Sequence, residues 1–333
     1  MATLPSPPVH IDLWTILSES KRIINAHSRH FLALSVLFLL PLSFSISAYP
    51  AINQLVSRPS PLTVETHLSF FNPIQQQPPN FPVKTLIFFF LYTLFTVIFS
   101  LFATGSITYS VFHGFYGRPV KLVSAIKSAF TSFFLLLSTC VISELIVSGF
   151  LLILALIFFS LVKAIQLLGF QLDVSSPYFI SLCLVFVISF IFIVVYLRVN
   201  WTFAYVVVVV ESSWGLEPLK RSKNLVKGMK GVAFSMILFF GFVSGIFSWG
   251  SAVRWGDADA DNWRSWAFVL DIVVTSTALM MLMLYNLAAS TVFYMYSKAI
   301  HGELAGEIAE EFAREYVSLP FDDGKIPHVV SVV

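Results

Sequence analysis

The sequence predicts an all-α, polytopic membrane protein with about six transmembrane helices and amphipathic helices lying at the cytosolic interface. Apolar residues fill 57% of the 333 positions and charged residues 11%, with a mean hydropathy of +0.84. A soluble domain carries about a quarter charged residues, so there is too little polar surface here to cover a water-exposed globule. Six runs, at 31–52, 85–112, 133–162, 178–210, 231–253 and 266–297, reach the roughly 20 apolar residues that cross a bilayer core. Lys and Arg gather in alternate connections between those runs.

Ahead of the first run, "IDLWTILSESKRIINAHSRHF" puts Leu13, Leu17, Ile24 and Phe31 at helical spacing behind Asp12, a residue type that caps helices. A basic amphipathic helix of this kind lies naturally in the headgroup plane. The run at 31–52 starts too late and is too long for a signal peptide, and reads as a retained span. Residues 57–84 hold six prolines and read as an irregular loop. Two more basic segments, 115–132 and 213–230, again precede paired spans. Ser222-Lys223-Asn224-Leu225-Val226-Lys227-Gly228 echoes Ser20-Lys21-Arg22-Ile23-Ile24-Asn25-Ala26. The expected organisation is a segment 1–30 with its amphipathic helix, a six-span domain over 31–297 built from three helix-plus-hairpin units, and an acidic amphipathic tail over 298–333.

Charge orients these elements. Fourteen of the 20 Lys and Arg lie in the N-terminal segment, the second and fourth connections and the tail. Five (Arg58, Lys84, Lys163, Arg254 and Arg264) lie in the opposite connections, and Arg198 stands inside a span. Cations favour the cytosolic side, so both termini are expected there, in the plasma membrane or an endomembrane. Because the cations are dispersed over loops, no nucleic-acid partner is expected.

The largest cluster is "EPLKRSKNLVKGMKG". A helix over 218–230 would place Lys220, Lys223, Lys227 and Lys230 on one face, where acidic headgroups stabilise each by about 1 kcal/mol. Within it, Leu219, Arg221, Ser222, Leu225 and Gly228 fit the pattern L-x-R-S-x-x-L-x-x-G, entered through Glu211 and Gly215. This loop resembles the signature of the membrane domain found beside bacterial glycerophosphodiester phosphodiesterases. The whole chain looks like a plant family of multi-pass transmembrane proteins from that wider group. The resemblance implies a span layout over about residues 11–300. It does not imply the phosphodiesterase activity, which belongs to a separate soluble barrel of roughly 250 residues, longer than any soluble stretch here.

Ionisable groups inside spans need partners. Glu144 and Arg198 fall at matching depth in neighbouring antiparallel runs, which points to an intramembrane pair, either a buried lock between helices or a polar site for a solute. Asn286 is expected to hydrogen-bond between helices, and Gly241 and Gly245 to let backbones approach. Asp257, Asp259 and Asp261 begin like a calcium loop, but Asn262 and Phe268 occupy the positions of its glycine and closing glutamate. The histidines are scattered, Cys140 and Cys183 lie in apolar runs, and no zinc, P-loop or nucleophile-elbow motif occurs. No catalytic, cofactor or metal site is expected.

In the tail, Ile300, Leu304, Ile308, Phe312 and Tyr316 form a stripe beside Glu303, Glu307, Glu310, Glu311 and Glu315. Those carboxylates repel an acidic leaflet, so the stripe is expected to meet protein, either the basic loop or a separate partner. The expected function is non-enzymatic: organising membrane lipids or a partner protein at the cytosolic face. The alternative is a small-solute or lipid transporter using Glu144 and Arg198.

Overall fold

The computed structural model describes residues 11–57, 83–118, 120–168, 176–255 and 265–303. Among these, every regular element is helical. Helix α1 (Leu13–Ala26) and the short α2 (Ser28–Leu34) lead through a π-helical turn at Ser35–Leu39 into α3 (Leu40–Ser57). The chain continues through α4 (Val83–Phe115), α5 (Leu122–Leu167), α6 (Pro177–Asn200), α7 (Ala204–Glu211), α8 (Glu217–Leu225), α9 (Lys230–Trp255) and α10 (Trp266–Ile300).

Six stretches are long and apolar enough to cross a membrane: Ser28–Asn53, Val83–Phe115, Leu122–Leu167, Pro177–Glu211, Lys230–Ser251 and Trp266–Ile300. They coincide with the six runs read from the sequence. Their burial is uneven: in the most apolar windows of Leu122–Leu167 and Pro177–Glu211 no residue is buried within the protein, so those surfaces are left to lipid.

The main core lies where α1, the end of α4, α7, α8 and the end of α10 converge. Ile16, Phe31, Ile107, Phe203, Val207, Leu225, Phe293 and Tyr294 are all buried in one cluster there. Helix α1 does not leave its apolar face to lipid. Ile16, Ser20, Ile23 and Ile24 turn inward, chiefly against α10, with Leu13 and Leu17 at the edge and Trp14 outward. Asp12 stands at the N-cap position.

The structure corrects several expectations. The basic segment at 115–132 forms no separate helix, because α5 runs unbroken from Leu122 for 46 residues, about 69 Å at 1.5 Å per residue. The reason is a single inward seam of Ala125, Ala129, Ser132, Leu136, Thr139 and Ser143, spaced alternately four and three residues apart. Such a seam keeps one continuous helix against its neighbours. Nor do Gly241 and Gly245 let backbones approach among the described residues: a methyl group at either would meet nothing there. Close approach occurs instead at Gly105, where an added Cβ would stand 2.9 Å from the Ala129 Cα. Asn286 faces outward rather than across a helix interface.

Candidate functional site

The fourth run is one membrane-long stretch, as expected, but its helix is interrupted at Trp201, Thr202 and Phe203, and the break explains the motif that follows. In a continuous helix the Phe203 N–H would bond to Val199 and the Ala204 N–H to Asn200. Here Ala204 donates to the Trp201 carbonyl at 3.0 Å, which frees the Asn200 carbonyl, and the Phe203 N–H finds no backbone acceptor among the described residues. The hydroxyl of Ser222 satisfies both, donating to the Asn200 oxygen at 2.8 Å and accepting from the Phe203 N–H at 3.0 Å. Ser222 is wholly buried. Irregular backbone at membrane depth persists only where protein supplies such partners.

Neighbouring motif residues hold α8 in place. Leu219 and Leu225 are buried in the core, and Ser297 of α10 donates to the Leu225 carbonyl at 2.7 Å. Gly228 adopts φ +88°, a left-handed conformation that turns the chain from α8 into α9. On the approach, the Gly215 N–H donates to Thr139 of α5 at 3.2 Å, and Gly215 itself sits at φ +78°.

Arg221 enters a four-charge cluster. It pairs with Glu303 through both terminal nitrogens and with Glu211 at 3.4 Å. Glu211 also accepts from the Tyr294 hydroxyl at 2.7 Å and lies 3.5 Å from the Lys298 ammonium, which is 2% exposed and sits 5.3 Å from the Tyr294 ring centre. Two cations and two carboxylates thus tie α7, α8 and α10 together with no net charge. The Glu303 carboxylate, aided by Glu211, raises the Arg221 pKa further above its ordinary value despite the opposing effect of burial.

The lysines behave differently from the arginine. Helix α8 stops at Leu225, so Lys220 and Lys223 lie on it, Lys227 lies in the following turn and Lys230 begins α9. The expected single stripe over 218–230 is therefore divided between three elements. All four side chains are nevertheless exposed. The aliphatic residues between them point into the core, Leu219, Leu225 and Val226 being buried. No apolar face of α8 is left to dip into lipid, because its leucines are spent on packing.

Deeper in the bundle, Arg198 donates to Glu144 at 3.1 Å. The pair is not enclosed, with 47% of the Arg198 side chain and 55% of the Glu144 side chain exposed. Arg198 lines a cavity of about 470 Å³ together with Thr96, Ser100 and Thr104 of α4, Cys140 and Tyr205. Sequence reasoning missed this hydroxyl stripe, although its i, i+4, i+8 spacing in an apolar helix was a readable signal. It also passed over Lys298 and Tyr294, whose i, i+4 spacing puts a cation on a helix face that proves to be buried.

Among the described residues no group of three His, Cys, Asp or Glu side chains is placed to hold a metal ion. Asp257, Asp259 and Asp261 lie outside the described residues, as does the tail beyond Glu303 with all of its expected stripe but Ile300 and all of its carboxylates but Glu303. The sequence family described as Domain of unknown function (DUF8558) matches residues 9–326. The chain belongs to the DUF8558 family. No curated protein and no solved structure matches this DUF8558 chain.

Proposed function

We propose that this protein is a non-enzymatic, multi-pass membrane protein that gathers acidic lipid headgroups at the cytosolic face through the connection between its fourth and fifth spans. The observation that carries the reading is a division of labour within one loop. Arg221 is consumed by internal ion pairs. Lys220, Lys223, Lys227 and Lys230 all face outward and make no ion pair among the described residues. Cations held outward beside a bilayer, and not needed for folding, are placed to attract anionic lipid by charge alone. The resemblance of the motif to the membrane domain beside glycerophosphodiester phosphodiesterases is compatible with a role at a lipid surface, and that kinship is part of the proposal.

Purified protein reconstituted with brominated phosphatidylserine or brominated phosphatidylcholine tests this directly. Trp214, exposed beside the lysines, reports nearby bromine by loss of fluorescence. The wild type is expected to show stronger quenching by the serine lipid. The variant with all four lysines changed to glutamine should be quenched equally by both. Equal quenching of the wild type would sink the reading.

The orientation is tested separately. Epitope tags at either terminus should be reached only from the cytosol, and a tag within 57–84 only from the opposite side. Termini on opposite sides would overturn the six-span topology. Transport past Glu144 and Arg198 remains the second reading. The cavity beside Arg198 supports it, because transport requires a place for the solute to bind.

A further inference from the structure

The cavity beside Arg198 has two unlike walls. On one side stand Leu42 and Ile46 of α3, Leu101 of α4, and Met283 and Leu287 of α10. On the other stand Thr96, Ser100 and Thr104, with the Arg198 guanidinium closing the polar side. At about 470 Å³ it falls within the range of roughly 300–1,000 Å³ that small-molecule sites occupy. It opens on the outer side of an apolar bundle, within a span, where a cation is costly to maintain unless it is paired or in use.

From these features we infer that the cavity binds a membrane amphiphile with an acidic head, a fatty acid or an acidic phospholipid. The acyl chain lies against the aliphatic wall and the acid group meets Arg198. The guanidinium has five N–H donors, and among the described residues its side chain donates to one partner, Glu144. Glu144 is not part of the cavity lining, so it offsets the charge from outside and leaves donors for a ligand within. The hydroxyls divide the remaining polar work. Thr96 and Thr104 already donate to the carbonyls of Tyr92 and Ser100, at 3.0 and 2.8 Å, and so offer lone pairs. Ser100 has no side-chain hydrogen bond among the described residues and is free to donate to an acid oxygen. A neutral sterol or hydrocarbon would leave the guanidinium unused. A small hydrophilic anion would leave the aliphatic wall bare. An acid on a chain satisfies both walls. This site is independent of the headgroup contacts at Lys220, Lys223, Lys227 and Lys230, which lie in the α8–α9 region.

The test uses full-length protein, delipidated in maltoside micelles, and cis-parinaric acid, whose fluorescence rises on entering an ordered site. Saturable binding of the acid is expected, with its methyl ester at least about tenfold weaker because the ester loses the charged contact. Arg198→Gln should weaken the acid by about tenfold or more, and Ser100→Phe, which fills the cavity, should abolish binding. The four-lysine variant should bind as the wild type does, so loss of the surface reading leaves this one standing. Displacement by oleate alone would identify a free acid as occupant, and displacement by phosphatidic acid a phospholipid. Equal binding of acid and ester by the wild type, a comparison that needs no variant to fold, overturns the inference. So does an Arg198→Gln protein that retains full affinity.

Discussion

Replacing Glu211 with alanine is expected to destabilise the protein by about 3–5 kcal/mol, the usual result of removing one partner from a buried ion pair. The loss goes beyond a single contact. Glu211 receives Arg221, Lys298 and the Tyr294 hydroxyl, and Lys298 is 2% exposed. Without the carboxylate, the buried ammonium group loses this ion pair, and the Tyr294 ring face beside it is a weak substitute worth about 1–2 kcal/mol. Glu303→Ala should cost less, because Arg221 is a third exposed and keeps Glu211. Reversible unfolding in mixed micelles of increasing denaturing detergent would measure both. If Glu211→Ala proves no more damaging than Glu303→Ala, the cluster does not act as the clamp described. Lys298→Met should partly rescue Glu211→Ala, since it removes the stranded charge; strictly additive losses would show that the two residues are not coupled.

The second large effect is expected at Ser222, where alanine removes one oxygen but strands two backbone groups. An unsatisfied buried donor or acceptor costs about 1–3 kcal/mol, and both the Phe203 N–H and the Asn200 carbonyl lose their partner. Ser222→Ala should therefore cost about 2 kcal/mol or more, well beyond the loss of a surface hydroxyl. A local signature accompanies it: amide exchange at Phe203, just ahead of α7, should accelerate relative to α7. An unchanged exchange rate, or a stability loss below about 0.5 kcal/mol, would show that the break between α6 and α7 is held by something other than this serine.

The headgroup proposal and these two expectations separate the roles of adjacent residues. Lys220 and Lys223 flank Arg221 and Ser222 in sequence, yet on a helix they project to the opposite side. Substitutions on the outer side are expected to alter lipid preference with little effect on stability. Substitutions on the inner side are expected to unfold the junction before any lipid effect can be read.

What the sequence determined by itself was the class of the fold and the number of long apolar helices. Both follow from composition and run length, because a bilayer demands about 20 apolar residues per crossing and a closed set of backbone hydrogen bonds. The same local rules located the basic connection and placed Glu144 and Arg198 at comparable depth. They did not show that the fourth span breaks at 201–203, because valines and a Trp-Thr-Phe turn read as one apolar run, and the partner of that break lies about 20 residues later. Nor did they show that the segment at 115–132 joins α5, since a basic helix and the start of a span look alike without the α4 surface against which Ala125 and Ala129 close. The largest difference concerns the loop motif. Its cations read as one class in the sequence, but tertiary structure draws Arg221 inward to Glu211 and Glu303 while the four lysines stay outside. Only packing made that choice: a carboxylate 10 residues before Arg221 and another 82 after it come within bonding distance once α7, α8 and α10 meet, and no periodicity in the chain encodes contacts between elements so far apart.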